Sequence, residues 1–192
     1  EMVDFGALLS NPQLIFEYAH VMLIAILTGA TIITGLAAFQ LLKKRALSDE
    51  NKLIYHKTMR VGLTLMLIFS LGAIVAGDMQ MQYLIKEQPM KFAATEAVYK
   101  TTKSPAPWTV VGIADTKTHQ VKGKVEIPGV LSVLSYHKLS GSVEGMEEIN
   151  AQLEKKYGTH IDGQKMNYYV PVNTLFWSFR VMCGFGALLF LV

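Results

Sequence analysis

Four side chains that could bind a metal or hold a fixed charge lie beside the most apolar stretches of this 192-residue chain. His20 directly precedes 22 residues without a formal charge, and Asp78 directly follows 17 such residues. Arg180 and Met182 lie where a third uncharged stretch begins. An imidazole nitrogen and a thioether sulfur are the axial ligands of some low-spin haems, whose reduction potential they tune. The combination of His20 with Met182 therefore indicates electron transfer as one candidate chemistry.

Each of these residues also has a simpler interpretation. A charged or histidine side chain at a membrane boundary costs little and often only reaches toward water. Methionine fills irregular gaps in apolar cores. From the spacing alone, boundary side chains and core packing stay open as alternatives to a haem site.

The three uncharged stretches, residues 21–42, 61–77 and 181–192, predict membrane-spanning helices. About 20 apolar residues cross a bilayer core of roughly 30 Å. Asn11 and Pro12 predict the start of the first helix, with asparagine as the N-cap and proline in the first turn. The fold class that we predict is an all-α transmembrane helix bundle, with three spans in this fragment. A folded loop of mixed short helices and a hairpin is expected between the second and third spans.

The composition supports an integral membrane protein. The chain is 51% hydrophobic and 17% charged, whereas a soluble domain has about 25% charged residues. These values exclude intrinsic disorder and a disulfide scaffold, and Cys183, the single cysteine, has no partner for an internal disulfide. The net charge of +3, without a basic stripe, does not indicate nucleic-acid binding.

The short connection between the first two helices predicts which way the chain crosses the membrane. It carries six lysines and arginines, and short basic connections stay in the cytoplasm. We therefore predict three segments: residues 1–78 form the first two helices with their cytoplasmic connection, residues 79–170 form an outward-facing loop, and residues 171–192 begin the third helix. The four candidate side chains then share the outer boundary of the membrane.

The loop of residues 79–170 is predicted to fold. Residues 90–100 and 143–157 have the pattern of short helices, the second with Gly158 as its C-cap. Residues 108–113 and 120–127 have the pattern of a hairpin.

The two ends of the chain lead to a further expectation. The first residue is Glu1, and the 12 residues after Arg180 would rise only about 18 Å as a helix, too little to cross a membrane. We expect an internal fragment of a larger polytopic protein, without a signal peptide.

Four motifs occur in one order along the chain. Residues 11–20 begin with Asn-Pro and end with Phe-Glu-Tyr-Ala-His, and Gly77-Asp78 follows the second apolar stretch. Residues 91–96 read Lys-Phe-Ala-Ala-Thr-Glu and precede a Pro-Ala-Pro connector, and residues 179–184 read Phe-Arg-Val-Met-Cys-Gly. This order resembles subunit I of the cytochrome bd quinol oxidase over essentially all 192 residues. The Lys-x4-Glu and Phe-Arg-x-Met patterns are its most specific parts.

The resemblance implies that His20 and Met182 are the axial ligands of a low-spin haem b. Arg180 matches the arginine beside that methionine, whose charge would favour the reduced haem and its propionates. In the complete protein the family also holds a high-spin haem b and a haem d, whose ligands lie outside this fragment. The loop is similar to the shorter of the family's two loop types, and Glu17 has no assigned role.

The resemblance also implies a quinol site. Lys91 and Glu96 match a lysine and a glutamate that act in quinol oxidation, and Asp78 matches an acidic residue at the start of the loop. Glu96 would accept a proton from quinol, and Lys91 would donate a hydrogen bond to a quinone oxygen. From the residues alone, five positions place Lys91 and Glu96 on different helix faces, and Glu96 with Lys100 forms an ordinary exposed i,i+4 pair.

The function implied is the quinol-oxidising portion of a bacterial terminal oxidase, a quinol:oxygen oxidoreductase. Electrons from ubiquinol or menaquinol would pass to the haem and, in the complete protein, on to dioxygen to give water. The expected partners are subunit II, a small accessory subunit and the lipid of the bacterial cell membrane.

The alternative is a polytopic membrane receptor or sensor whose extracytoplasmic loop binds a ligand. A receptor explains three spans and a folded loop equally well. It does not explain why His20 and Met182 share one depth in the membrane.

Overall fold

The computed structural model describes residues 6, 9–43, 47–161 and 164–191. In chain order, its helices and strands are α1 (Pro12–Leu42), α2 (Asp49–Glu87), α3 (Pro89–Thr95), β1 (Trp108–Asp115), β2 (Gln120–Ile127), α4 (Val130–Tyr136), α5 (Met146–Tyr157), β3 (His160–Ile161), β4 (Gln164–Lys165) and α6 (Val172–Leu191). The chain divides into two units. We call Glu1–Gln80 with Phe185–Val192 the helical unit, and Met81–Gly184 the loop unit.

Within the described ranges, three helices, α1, α2 and α6, are long and apolar enough to cross a membrane. The predicted class of a helical membrane protein with three spans is therefore confirmed. The start of α1 is also confirmed, because the Asn11 side chain accepts a hydrogen bond from the Gln13 backbone N–H at 3.0 Å and Pro12 opens the helix.

The helical unit packs through small residues. A Cβ atom at Gly62 would collide with Thr34, and one at Gly72 would lie 3.3 Å from a methyl of Leu23. Close approach at small residues is typical of membrane helix pairs. The small core of the unit consists of Leu27, Ala30 and Met66. Only 22% of the most apolar stretch of α1, and the same share in α2, is buried.

The second helix is longer than the sequence analysis predicted. It was expected to end at Gly77-Asp78, but α2 continues through Asp78 to Glu87. No glycine or proline interrupts the segment after Asp78 until Pro89, and a proline disfavours helical conformation in the residue before it. The prediction of a helix end at Asp78 is therefore wrong, since a charged residue alone does not stop a helix.

The helix predicted for residues 90–100 is shorter and is found as α3. It ends in a Schellman motif: the Ala97 N–H donates to the Ala94 carbonyl and the Val98 N–H to the Ala93 carbonyl. Ala97 takes the left-handed conformation that such a cap requires, with φ of 54°. A glycine at this position would have predicted the cap from the sequence, but the residue is an alanine. Glu96 is thereby the C-cap residue of α3.

The remaining loop elements follow the predicted order. β1 and β2 pair antiparallel, so the hairpin prediction is confirmed. The helix predicted for residues 143–157 is α5, with Gly158 as its C-cap. The seven-residue helix α4 was not predicted. Together these elements enclose a core whose most buried side chains include Ala93, Ala94, Leu131, Met146, Val172 and Phe176.

Candidate functional site

The centre of the loop unit holds a buried ion pair between Glu96 and Arg180. The Arg180 Nη2 atom lies 2.6 Å from Glu96 Oε2. The side chains are only 3% (Glu96) and 8% (Arg180) exposed, so water does not screen the pair. The Schellman cap of α3 turns Glu96 into the core, and Arg180 reaches it from α6. The interpretation of Glu96 as an exposed partner of Lys100 is therefore wrong.

Two backbone carbonyls add further hydrogen bonds to the guanidinium. Arg180 Nη1 donates to the Thr95 carbonyl at 2.9 Å, and Nη2 donates to the Thr109 carbonyl at 2.7 Å. A buried charge is tolerated when it is paired and when hydrogen bonds satisfy its remaining polar atoms. Arg180 thus ties three elements together, because these partners lie on α3, at its C-cap and on β1.

Three aromatic rings surround the same guanidinium. Its Cζ atom lies 4.2 Å from the ring centre of Phe176, 5.3 Å from that of Trp108 and 5.7 Å from that of Phe179. A cation within about 6 Å of an aromatic face is attracted to it, by about 2 kcal/mol where water is excluded. The rings therefore attract the guanidinium and also exclude water from the ion pair.

The charge state of Glu96 is set by two opposing influences. Burial raises the pKa of its carboxyl group above the ordinary value, because the charged form loses its hydration. The charge of Arg180 and its hydrogen bond oppose that rise, and the nearby indole of Trp108 opposes it further. The indole N–H is nevertheless buried without a full hydrogen bond to any described residue. Glu96 is thus a carboxyl group that can take up a proton more readily than one in water.

The strand β1 is fastened to α6 at two points. Besides the bond between Thr109 and Arg180, the Asn173 side chain forms two hydrogen bonds with Ala114: it accepts from the N–H at 2.9 Å and donates to the carbonyl at 2.7 Å. Residues 173 and 180 are seven positions apart and lie on one face of a helix. Asn173 therefore holds the hairpin along the face of α6 that carries Arg180.

Lys91 lies apart from this pair. Its side chain is half-buried, and its ammonium group forms no hydrogen bond or ion pair with another residue in the part of the chain that the structure describes. The structure brings Glu96 to Arg180 and does not pair Lys91 with Glu96. The face difference expected from their spacing is consistent with this arrangement.

His20 lies in the helical unit, beside α2. A Cβ atom at Gly77 would lie 3.4 Å from His20 Cε1 and 3.7 Å from Nδ1, so the glycine leaves just enough room for the imidazole. The Nδ1 atom is buried without a hydrogen-bond partner among the described residues. Asp78 follows Gly77 within α2 and is half-buried. Glu17 accepts a hydrogen bond from the Gln13 side chain at 2.8 Å.

Met182 belongs to the loop unit, two positions after Arg180 on α6. Its side chain is 51% exposed, so it does not fill the core of that unit. Two positions on a helix correspond to about 200° of rotation. Arg180 and Met182 therefore point to different sides of α6.

A second polar cluster was not expected from the sequence. The ring of His119 stacks on Tyr99 at 5.2 Å, with 7° between the planes, and lies 4.9 Å from the ring of Tyr169. His119 Nδ1 is 3.2 Å from Glu147 Oε1. This histidine connects the tip of the hairpin to α5.

Trp108, Thr109 and Asn173 were also missed by the sequence analysis. The partners that they contact at the site lie 59 or more positions away in sequence. No local spacing pattern therefore predicts these contacts. The aromatic residue directly after the Pro-Ala-Pro connector was the one available signal, and it had been assigned to the hairpin alone.

Comparison with known proteins identifies relatives along the whole chain. A family model described as cytochrome bd terminal oxidase subunit I matches residues 1–192. The chain is 41% identical over 191 residues to cytochrome bd ubiquinol oxidase subunit 1 of Bacillus subtilis (strain 168), which covers 100% of this chain and 38% of that relative. It is 25% identical over 242 positions to cytochrome bd-II ubiquinol oxidase subunit 1 of Escherichia coli (strain K12), covering 100% of this chain and 46% of the relative.

The fold has a solved counterpart as well. The bd oxidase from Geobacillus thermodenitrificans matches with a TM-score of 0.75 and 26% sequence identity, over 98% of this chain and 38% of that one. The chain thus spans less than half the length of these relatives. The match to the family model, together with 41% identity to a relative, shows that the chain belongs to the cytochrome bd terminal oxidase subunit I family.

Proposed function

We propose that this chain is the quinol-oxidising, low-spin haem b-binding portion of a bacterial quinol:oxygen oxidoreductase. The observation that carries the proposal is the ion pair between Glu96 and Arg180. It joins the predicted quinol segment, residues 91–96, to the helix that presents Met182. Family membership makes the receptor interpretation unnecessary.

The residues present fit a haem by their chemistry. His20 offers an imidazole whose Nδ1 is buried and unpaired among the described residues, in a space that Gly77 leaves open. Met182 offers an exposed thioether that the loop core does not use. Imidazole and thioether suit a low-spin iron. We propose that His20 and Met182 would hold the haem iron, and the group would supply one-electron transfer when bound.

Arg180 has a proposed electrostatic role. A fixed positive charge beside an electron acceptor favours the state with the additional electron. The guanidinium is held by Glu96 and two carbonyls, so its position is defined before any electron arrives. We assign Arg180 to stabilise the reduced haem and its propionates.

Glu96 is the proposed proton acceptor. Oxidation of a quinol releases two protons together with two electrons, and a carboxylate whose pKa is raised by burial takes up a proton more readily. Its Oε2 atom accepts a hydrogen bond from Arg180, so we propose that Oε1 is the oxygen that takes up the proton. Because the side chain is 3% exposed, the proton reaches it through the interior of the loop unit rather than from open solvent.

Lys91 and Asp78 complete the proposed site. The ammonium of Lys91 would donate a hydrogen bond to a quinone oxygen, and it is half-buried and unpaired among the described residues. Asp78 is proposed as a further acidic residue of the quinol reaction, located within α2 rather than at its end.

The wider assignments follow from the same family. We propose residues 1–78 and 171–192 as the membrane portion and residues 79–170 as the quinol-binding loop on the outer side of the bacterial cell membrane. Ubiquinol or menaquinol would be the substrate, and subunit II and a small accessory subunit the protein partners. In the complete protein a high-spin haem b and a haem d would be further cofactors, and dioxygen would be the final electron acceptor.

The proposed role of Glu96 is tested by turnover of the assembled oxidase that contains this chain. Glu96→Gln keeps the shape of the side chain but removes its capacity to take up a proton. We expect quinol oxidation at saturating quinol to fall by about 10²-fold or more, as is typical of the loss of a proton acceptor. Glu87→Gln, at the exposed end of α2, is the matched control and should keep the wild-type rate. Full turnover in Glu96→Gln would refute the role.

A further inference from the structure

We propose that Trp108 is a positioning residue for the ion pair between Arg180 and Glu96. The inference rests on the proposed function, because the purpose of the positioning is to hold the Arg180 charge in place near Met182. It adds a residue that the family resemblance did not assign.

The three rings around the guanidinium come from two different elements of the fold, and this distinguishes Trp108 from the two phenylalanines. Phe176 and Phe179 lie on α6 with Arg180 itself, four and one positions earlier. They move with the helix and cannot fix Arg180 relative to the loop. Trp108 opens β1, and its ring lies 5.3 Å from the guanidinium carbon. Of the three rings, Trp108 is the one that connects Arg180 to a different element.

Trp108 acts together with the residue that follows it. The Thr109 carbonyl accepts a hydrogen bond from Arg180 Nη2 at 2.7 Å, while the guanidinium carbon lies over the preceding indole ring. Two consecutive residues of β1 thus contact the guanidinium, one through a carbonyl and one through a ring. A planar guanidinium both donates hydrogen bonds and packs on aromatic faces, so both contacts act on its position.

The indole also acts on the other partner of the pair. It opposes the rise in the pKa of Glu96 that burial causes. The indole N–H is buried and has no hydrogen-bond partner among the described residues, and the same holds for the Nε of Arg180. The ring therefore influences Glu96 as well as the guanidinium that lies over it.

The backbone of β1 is itself anchored. The two hydrogen bonds between Asn173 and Ala114 fix the far end of the strand on α6. Trp108 therefore presents its ring from a strand held at both ends. A positioning residue requires such rigidity, because it can fix another side chain only as precisely as its own position is fixed.

The test compares variants of the assembled oxidase that contains this chain. Trp108→Leu and Trp108→Met remove the aromatic face but keep apolar volume, and Trp108→Phe keeps an aromatic face. Trp177→Leu removes a tryptophan from α6 that is not among the rings over Arg180 and serves as the matched control. The two readouts are the midpoint potential of the low-spin haem and the infrared carboxyl band of Glu96, which is identified by its loss in Glu96→Gln.

We expect Trp108→Leu and Trp108→Met to lower the midpoint potential and to raise the pH at which the Glu96 band titrates. Trp108→Phe should keep the wild-type midpoint potential but, because it lacks the indole N–H, should raise the pH at which the Glu96 band titrates. Trp177→Leu should match the wild type in both readouts. If Trp108→Leu does not accumulate, the methionine variant decides the question. Wild-type values of both readouts in the ring-less variants would overturn the proposal, as would an equal change in Trp177→Leu. A shifted carboxyl band with an unchanged potential would support the positioning and refute the proposed link from Arg180 to the haem.

Discussion

The loop unit and the helical unit differ in how much of their stability lies within the described chain. The loop unit encloses a core in which Ala93, Ala94 and Met146 are fully buried, and it places an ion pair inside that core. The helical unit buries few side chains, and residues such as Ile33, Leu36 and Phe39 are half exposed or more. Apolar surface of this extent on long helices is stable in lipid or against further membrane helices.

This difference separates two kinds of candidate residue. Glu96 and Arg180 already have partners, which are each other and the carbonyls and rings of the loop unit itself. His20 and Met182 lie on helices with much free surface and have an unpaired nitrogen or an exposed sulfur. The charged pair is therefore hydrogen-bonded within the loop unit, whereas the role of His20 and Met182 as ligands stays a proposal.

The largest expected effect comes from removing the cation inside the loop unit. Arg180→Met leaves Glu96 buried without its partner, and breaking a buried pair in this way costs about 3–5 kcal/mol. Hydrogen exchange of the loop amides in the assembled oxidase should accelerate accordingly. The double variant Arg180→Met with Glu96→Gln should recover part of the protection. Wild-type exchange in the single variant would show that the pair does not stabilise the loop.

The same variant has a predicted pH dependence. Burial holds the folded pKa of Glu96 above its unfolded value near 4.5. A group of this kind contributes stability that is present below the unfolded pKa and is lost as the pH rises through the folded pKa. Without Arg180 the folded pKa is higher still, so the deficit of Arg180→Met should be smallest at acidic pH and should grow toward neutral pH. A deficit that shrinks as the pH rises would contradict this account.

A smaller effect is expected at the closest contact of the helical unit. Gly62→Leu places a side chain against Thr34, and overpacking of this type costs about 1–3 kcal/mol. The melting temperature of the assembled oxidase should fall. Gly35→Leu is the control, because a Cβ atom at that position meets nothing within 4 Å. Equal melting temperatures for the two variants would mean that α1 and α2 do not rely on this contact.

Asn173 offers a comparable test within the loop unit. Asn173→Ala removes the hydrogen bonds that the side chain makes to both the N–H and the carbonyl of Ala114, at a cost of about 1–3 kcal/mol. Exchange should accelerate at the β1 amides while α5 keeps its protection. Asn150→Ala, which loses one local bond to Glu154, is the control. Unchanged hydrogen exchange in β1 would show that the hydrogen bonds between Asn173 and Ala114 do not stabilise the strand.

The smallest effect is expected at the exposed tip of the hairpin. Hydrogen bonds from Lys122 and from the Lys117 and Thr118 backbone hold the pKa of Asp115 well below its usual range. Stability from this group is present above the ordinary pKa of 3.8 and is lost only as the pH falls through the folded pKa. Asp115→Ala should therefore accelerate exchange only at the turn amides near neutral pH. A wider loss of protection would contradict a local role.

The sequence predicted those parts of the fold that depend on interactions between neighbouring residues. The Asn11 cap, the hairpin and the Gly158 cap depend on neighbouring residues, and the structure contains each of them. The three spans follow from apolar length alone. The end of α2 was misplaced because a charge at Asp78 was taken for a helix stop.

The surroundings of the candidate site depend on distant residues instead. Arg180 meets Glu96 across 84 positions and Thr109 across 71, so neither contact leaves a periodic trace in the sequence. Resemblance to the family identified both charged residues but not their pairing. Trp108 and Asn173 belong to none of the motifs in the sequence, and their roles became visible only once β1 was placed along α6.

The most direct test of the central claim is a reduced-minus-oxidised absorption spectrum of the assembled oxidase that contains this chain. Wild type is compared with His20→Ala and Met182→Leu, and Met79→Leu, an exposed methionine on α2, serves as the control. The account predicts selective loss of the low-spin haem b signal in the first two variants and a wild-type spectrum in the control. An unchanged signal in His20→Ala and Met182→Leu would contradict the claim that these two residues hold the haem.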